Sequence, residues 1–174
     1  GVELQVLRAD GREADVGEEG EIVARGPNIM SGYWNDPEAT SEVLDEHGYH
    51  TGDLARRDEE GFLYLVDRAK DMLIRGGENI YSIEVESALY DHPAVMDAAV
   101  VGIPHKVLGE EVGAVVQLKP GMSVTEDELR AHVANQLAAF KVPVEIHFMD
   151  EPLPRNANGK ILKKELREQF TPRG

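Results

Sequence analysis

Val66-Asp67-Arg68-Ala69-Lys70-Asp71-Met72-Leu73-Ile74-Arg75-Gly76-Gly77-Glu78-Asn79-Ile80 is the stretch at which the 174-residue chain changes character. Before it the pattern is strand and turn. Val2, Leu4 and Val6 alternate with polar residues, as a half-buried strand requires. Residues 21–25 give a second short strand, stopped by Gly26-Pro27. Residues 54–57 and 62–66 pair as a hairpin around Asp58-Glu59-Glu60-Gly61. One short helix interrupts the strands at 37–40, with Asp36 as N-cap and Pro37 at its first position. After the stretch, helices and strands mix. Residues 70–75 form a short strand broken by Gly76-Gly77, and Ser82 caps a helix whose face is Val85, Ala88 and Leu89. Residues 98–103 and 112–118 are apolar strands, and 144–149 is a third strand. Thr125 and Glu128 make a capping box for a helix with Leu129, Val133 and Leu137 on its apolar side. A last short helix bears Leu162, Leu166 and Phe170. The expected fold class is α+β. Residues 1–67 form an all-β segment, and 68–174 a small domain with a β-hairpin and a three-stranded sheet packed with helices.

Composition narrows the function. Hydrophobic residues make up 41% of the chain, enough for a packed core. The net charge of −15 argues against a nucleic-acid or anionic-membrane surface, because both need basic patches. Any phosphate-bearing ligand must therefore be met by a few local cations. With no cysteine, disulfides, thiolate metal sites and cysteine nucleophiles are excluded, and a reducing cytoplasm is the expected location. No apolar run reaches the roughly 18–20 residues of a membrane span. Gly1-Val2-Glu3-Leu4 resembles neither a signal nor a transit peptide and reads as the middle of a strand, so a truncated chain is expected.

Several catalytic signatures are missing. Gly159-Lys160 hints at a P-loop, but Pro154 stands where its first glycine belongs and Ile161 where Ser or Thr belongs. No serine occupies a Gly-x-Ser-x-Gly elbow. His47 and His50, with Asp45 and Asp53 nearby, lack a recognised ligand spacing, so no metal site is expected; His92, His105, His132 and His147 are scattered.

What remains is a set of ordered segments. Glu21-Ile22-Val23-Ala24-Arg25-Gly26-Pro27-Asn28-Ile29-Met30-Ser31-Gly32-Tyr33-Trp34 comes first, then Gly48-Tyr49-His50-Thr51-Gly52-Asp53. The stretch from Val66 to Ile80 follows, and Leu153-Pro154-Arg155-Asn156-Ala157-Asn158-Gly159-Lys160-Ile161-Leu162 is last. Together they resemble the later core motifs of the adenylate-forming superfamily, which includes acyl-CoA synthetases, aryl-CoA ligases, beetle luciferases and peptide-synthetase adenylation domains. Each segment alone is a weak signal, whereas their order and spacing make the resemblance specific, and it covers nearly the whole chain.

The resemblance implies an ATP-dependent acid–CoA ligase acting through an acyl-adenylate, with ATP, Mg2+ and CoA as cofactors or substrates and a small carboxylic acid as partner. It also implies that the phosphate loop, adenine motif and acyl pocket precede this stretch in a larger amino-terminal domain. The chain alone is then expected to be inactive. By the resemblance, Asp53 binds the ribose of ATP/AMP, whose paired hydroxyls suit a bidentate acceptor. Arg68 sits on the nucleotide, Lys70 is the hinge of the small domain, and Gly76 and Gly77 line the passage for the CoA arm. Lys160 is the catalytic residue of adenylation. Blander readings stand beside each: a turn aspartate, a surface ion pair of Arg68 with Asp67 or Asp71, an exposed lysine, and a plain Gly-Gly turn. Lys163, Lys164 and Arg167 read as a solvated helix face. An adenylation domain that loads a carrier protein, or a non-catalytic binding module, are the alternatives. Gly76-Gly77-Glu78-Asn79-Ile80, and the end at Pro172-Arg173-Gly174 without a carrier, favour the CoA ligase.

Overall fold

A computed structural model describes residues 1–170; the carboxyl-terminal Pro172-Arg173-Gly174 lies outside the described residues. The chain forms two compact units, Gly1–Lys70 and Asp71–Gly174. The division lies just beyond the expected one at Asp67-Arg68, because a strand runs through Arg68 and the Ala69 N–H still donates to the Gly52 carbonyl (2.9 Å).

The first unit is an antiparallel sheet of β1 (Glu3–Leu7), β2 (Glu19–Arg25), β3 (Leu44–Asp45), β4 (Gly48–Arg57) and β5 (Leu63–Arg68). Its order is β1-β2-β4-β3, with β5 also paired to β4. The helix α1 (Pro37–Val43) has Asp36 at its N-cap, whose carboxylate accepts from the Ala39 N–H at 3.0 Å. β4 is longer than the expected 54–57 and takes in Thr51-Gly52-Asp53.

The second unit contains a hairpin of β6 (Leu73–Arg75) and β7 (Glu78–Ile80), then α2 (Ser82–Tyr90), β8 (Val95–His105), β9 (Gly109–Leu118), α3 (Glu126–Ala134), a 3-10 turn (Ala139–Lys141), β10 (Glu145–Met149) and α4 (Lys163–Arg167). Its sheet runs β10-β9-β6-β7, with β8 antiparallel on β9 and β10 parallel to β9. The hairpin joins the larger sheet where Arg75 pairs with Gly109.

The unbroken apolar runs in β8 and β9 follow from burial on both faces. Ala98, Val100, Val112, Ala114 and Val116 pack with Val85, Leu89, Leu129 and Val133 of α2 and α3. The alternate residues Ala99, Val101, Ile103 and Val115 pack with Leu153, Leu166 and Phe170. The segment from Leu153 onward is thus the second covering layer of the sheet. The capping box of Thr125 and Glu128 is present. Tyr81, not Ser82, occupies the N-cap of α2; Ser82 lies buried in the first turn, its hydroxyl accepting from Lys163 Nζ at 2.7 Å. Leu137 lies beyond the end of α3 but packs against the same core.

Candidate functional site

In the first unit the functional geometry begins with a bulge. β2 pairs Glu21 with Leu54 and Val23 with His50, so Ile22 alone faces Thr51, Gly52 and Asp53. A bulge strips ladder partners from the backbone and re-aims a side chain, and the stripped groups need replacements. Side chains supply them. Thr51 Oγ1 donates to the Ile22 carbonyl (2.8 Å) and accepts from the Asp53 N–H (3.1 Å). The Gly52 N–H donates to Glu21 Oε1 (2.9 Å). Gly52 sits at φ +74°, a conformation that glycine takes without steric cost. The expected Thr-Gly turn is therefore a braced bulge within a strand.

Asp53 is paired in register with Arg68 on β5, and Arg68 Nε stands 3.1 Å from Asp53 Oδ1. The two nucleotide candidates meet as an ion pair. About a third of the Asp53 side chain and nearly half of that of Arg68 remain exposed, so a ligand can reach both. Lys70 is an exposed turn residue at the end of the unit.

Behind the bulge, His50 lies between two carboxylates. Its Nδ1 is 2.8 Å from Glu21 Oε2 and its Nε2 3.1 Å from Asp45 Oδ2. The Glu21 hydrogen bond, with help from Asp45, raises the His50 pKa above its ordinary value. Among the described residues no cluster of three or more His, Asp or Glu could hold a metal ion. The sign of the linkage is definite. A raised folded pKa gives stability that is full below the unfolded value of about 6.5 and is lost as pH rises through the folded value. The Tm advantage of the natural chain over His50→Gln should therefore be larger at pH 6 than at pH 9; an equal advantage at both would show that His50 is not a charged brace.

In the second unit, Gly76 and Gly77 are the two central residues of the β6–β7 hairpin turn, at φ +60° and +91°. Such a turn needs positive φ at both positions, which is why both are glycine. Glu78 and Asn79, directly after the turn, belong to β7. The Gly76 N–H donates to the Leu108 carbonyl (2.8 Å), which fixes this turn beside the β8–β9 tip. Leu108 had no signal in the sequence because it meets the turn only through the sheet.

Lys160 follows a compact turn closed by the Asn156 N–H on the Lys160 carbonyl (2.9 Å) and the Gly159 N–H on the Asn156 carbonyl (2.9 Å). Asn156 Oδ1 accepts from the N–H of both Asn158 (3.0 Å) and Lys160 (2.9 Å). The Lys160 side chain is exposed. Arg155 ties this turn to Asp97, near the start of β8 (2.6 Å). Gly76 is tied just past His105, the end of the same strand. The eight residue steps from Asp97 to His105, at about 3.3 Å each, put the two attachment points roughly 25 Å apart. Lys163, read as solvated, is instead largely buried and pairs with Glu86 Oε1 (2.8 Å). His92 and His132 meet edge to face with centroids 5.0 Å apart, and His147 stacks on Phe170 at 4.3 Å, so these histidines serve packing.

Residues 84–160 match the AMP-binding enzyme C-terminal domain. A feruloyl-CoA synthase from Amycolatopsis sp is 46% identical over 168 residues, 97% of this chain and 34% of that protein. A long-chain-fatty-acid–CoA ligase of Bacillus subtilis (strain 168) is 48% identical over 88% of this chain and 27% of its own length. The chain thus spans about a third of the curated relatives it matches. ATP-bound MatB from Rhodopseudomonas palustris superposes with TM-score 0.89 at 40% identity, over 98% of this chain and 34% of that one. The apo form of MatB gives 0.68 over the same shares, so two solved forms of that one relative differ over the stretch matched here. By sequence and by fold, residues 84–160 carry the AMP-binding enzyme C-terminal domain, and nearly the whole chain is similar to the C-terminal part of acyl-CoA synthetases and ligases.

Proposed function

We propose that this stretch serves an ATP-dependent acid–CoA ligase that works through an acyl-adenylate. In the first half-reaction the acid's carboxylate oxygen bonds to the α-phosphorus of ATP as the bond to pyrophosphate breaks. In the second, the CoA thiol bonds to the acyl carbon, loses its proton, and AMP leaves. Asp53 accepts from the ribose hydroxyls, and Arg68, held against it, donates to the nucleotide. Lys160 carries positive charge to the point where carboxylate and α-phosphate come together. The Gly76-Gly77 turn lets the thiol-bearing arm pass close to backbone.

The observation that carries this reading is the placement of the Lys160 and Gly76-Gly77 turns at attachment points roughly 25 Å apart along β8. Two turns so far apart on one body cannot both touch one reacting carbon. A rotation of residues 71–174 about Lys70 would present them in turn, with residues 1–70 staying with the larger domain. The two forms of MatB support such mobility. Mg2+ would arrive with ATP as its phosphate complex. The described residues offer no cluster to hold it. Similar identity to relatives named for ferulate and for long fatty acids argues that the choice of acid lies outside this stretch. A cytoplasmic location fits the absence of cysteine.

The test is acid-dependent ATP–pyrophosphate exchange in the full-length ligase with Asp53→Ala, Arg68→Ala and the double variant. Each single change removes hydrogen bonds to a charged group, worth about 1.5–3 kcal/mol, so ATP use should weaken by roughly tenfold or more. Because the two side chains hold each other, their losses should be less than additive in the double variant. Unchanged ATP kinetics in both singles would show that the ribose site lies elsewhere.

A further inference from the structure

The turn that carries Lys160 is gripped from two sides. On one side the Arg155 guanidinium bridges two acceptors. Its Nη1 donates to the Gly159 carbonyl at 2.7 Å, and its Nη2 to Asp97 Oδ2 at 2.6 Å. Asp97 is largely buried, and its other oxygen accepts from the Tyr90 hydroxyl and from the Ala98 N–H (3.0 Å). Burial, and then the Asp97 carboxylate, raise the Tyr90 pKa, which keeps that hydroxyl a donor. On the other side Lys163 Nζ donates to Ser82 Oγ (2.7 Å) and pairs with Glu86, which also accepts from the Val100 N–H (2.8 Å). Leu153 and Leu166 are buried just outside these two grips. Half-exposed ion pairs add little stability, so fixed geometry is the larger consequence of such an arrangement.

We propose that Arg155 is a positioning residue for adenylation: anchored on Asp97, its fork fixes the Gly159 carbonyl and so the direction in which the Lys160 side chain leaves the turn. This rests on the adenylation role proposed for Lys160. Arginine is required because a planar fork reaches two acceptors at set angles, whereas a lysine ammonium is a single point of charge. Asp97 and Arg155 are distant in sequence, and their meeting needs the packing of residues 153–170 onto β8.

The experiment compares Arg155→Ala, Arg155→Lys and Lys160→Ala in the full-length ligase. Three readouts are taken: acid-dependent pyrophosphate exchange, thioester formation from supplied acyl-adenylate and CoA, and hydrogen exchange of residues 156–160. Displacement of a catalytic group by about 1 Å can cost about 10²-fold, so Arg155→Ala should lower the kcat of exchange by roughly tenfold to 10²-fold. Its KM for ATP and its thioester formation should stay within about twofold, and amides 156–160 should exchange faster. Arg155→Lys should remain impaired, since charge alone does not restore the fork. Normal exchange kinetics in Arg155→Ala, beside a depressed Lys160→Ala, would overturn the proposal and leave the role of Lys160 standing. Equal loss of both half-reactions would overturn it too, making Arg155 merely structural. If Lys160→Ala keeps full exchange activity, the adenylation reading falls and the proposal with it, whatever the hydrogen exchange shows.

Discussion

Replacing Lys160 by alanine in the full-length ligase should depress acyl-adenylate formation by about 10²-fold or more, the scale of losing one preorganised electrostatic group. Thioester formation from supplied acyl-adenylate and CoA should persist. The structure makes this a clean substitution. The turn is closed by backbone bonds and by Asn156 Oδ1, which engages the Lys160 main-chain N–H rather than its side chain. The ammonium is exposed, so its removal leaves no buried partner stranded. Tm and far-UV dichroism should match the natural enzyme. Lys160→Arg keeps the charge but broadens and flattens it, and should recover only part of the lost rate. Loss of thioester formation from preformed adenylate as severe as the loss of adenylation would defeat the division of labour.

The complementary substitution, Gly77→Leu, should block thioester formation by roughly 10²-fold or more while pyrophosphate exchange stays within about twofold. A Cβ at this position meets no atom of the chain within 4 Å, so the side chain would project into open space, which under the proposed function is the path of the CoA arm. Its backbone is the complication. At φ +91° a leucine is strained, by an amount of order 1–2 kcal/mol. Asparagine tolerates positive φ better and is shorter, so Gly77→Asn separates strain from obstruction. Obstruction predicts a much smaller loss for asparagine than for leucine, at similar folded stability. If Gly77→Leu transfers the acyl group to CoA normally, Gly76-Gly77 is only a hairpin turn.

The legible parts of the fold were those dictated by local chemistry. Asp36-Pro37, Thr125 with Glu128, and the apolar faces of α2 and α3 announce themselves within one or two helical turns. Strands β8 and β9 were visible as apolar runs, whereas what covers each of their faces is set by tertiary packing. Lys163 was misread because a lysine near a chain end looks solvated until Ser82 and Glu86 are brought to it by tertiary packing. The Thr51-Gly52-Asp53 bulge was read as a turn because one glycine at positive φ serves either. Only the pairing of β2 with β4 decides between them. Asp53 and Arg68 were chosen from their motifs, whereas their meeting is a product of register between β4 and β5. Two partners that hold the candidate site, Glu21 behind Asp53 and Asp97 behind Arg155, are distant in sequence and carry no local signal.

Grafting this chain in place of the matching C-terminal third of the feruloyl-CoA synthase tests the central claim most directly. The chimera should show acid-dependent pyrophosphate exchange, release AMP, and form a CoA thioester of the host's acid. Lys160→Ala in the graft should abolish exchange while sparing the second half-reaction. The isolated chain, measured beside it, should show no exchange. A folded chimera that forms no AMP, or an isolated chain that catalyses exchange by itself, would contradict the account.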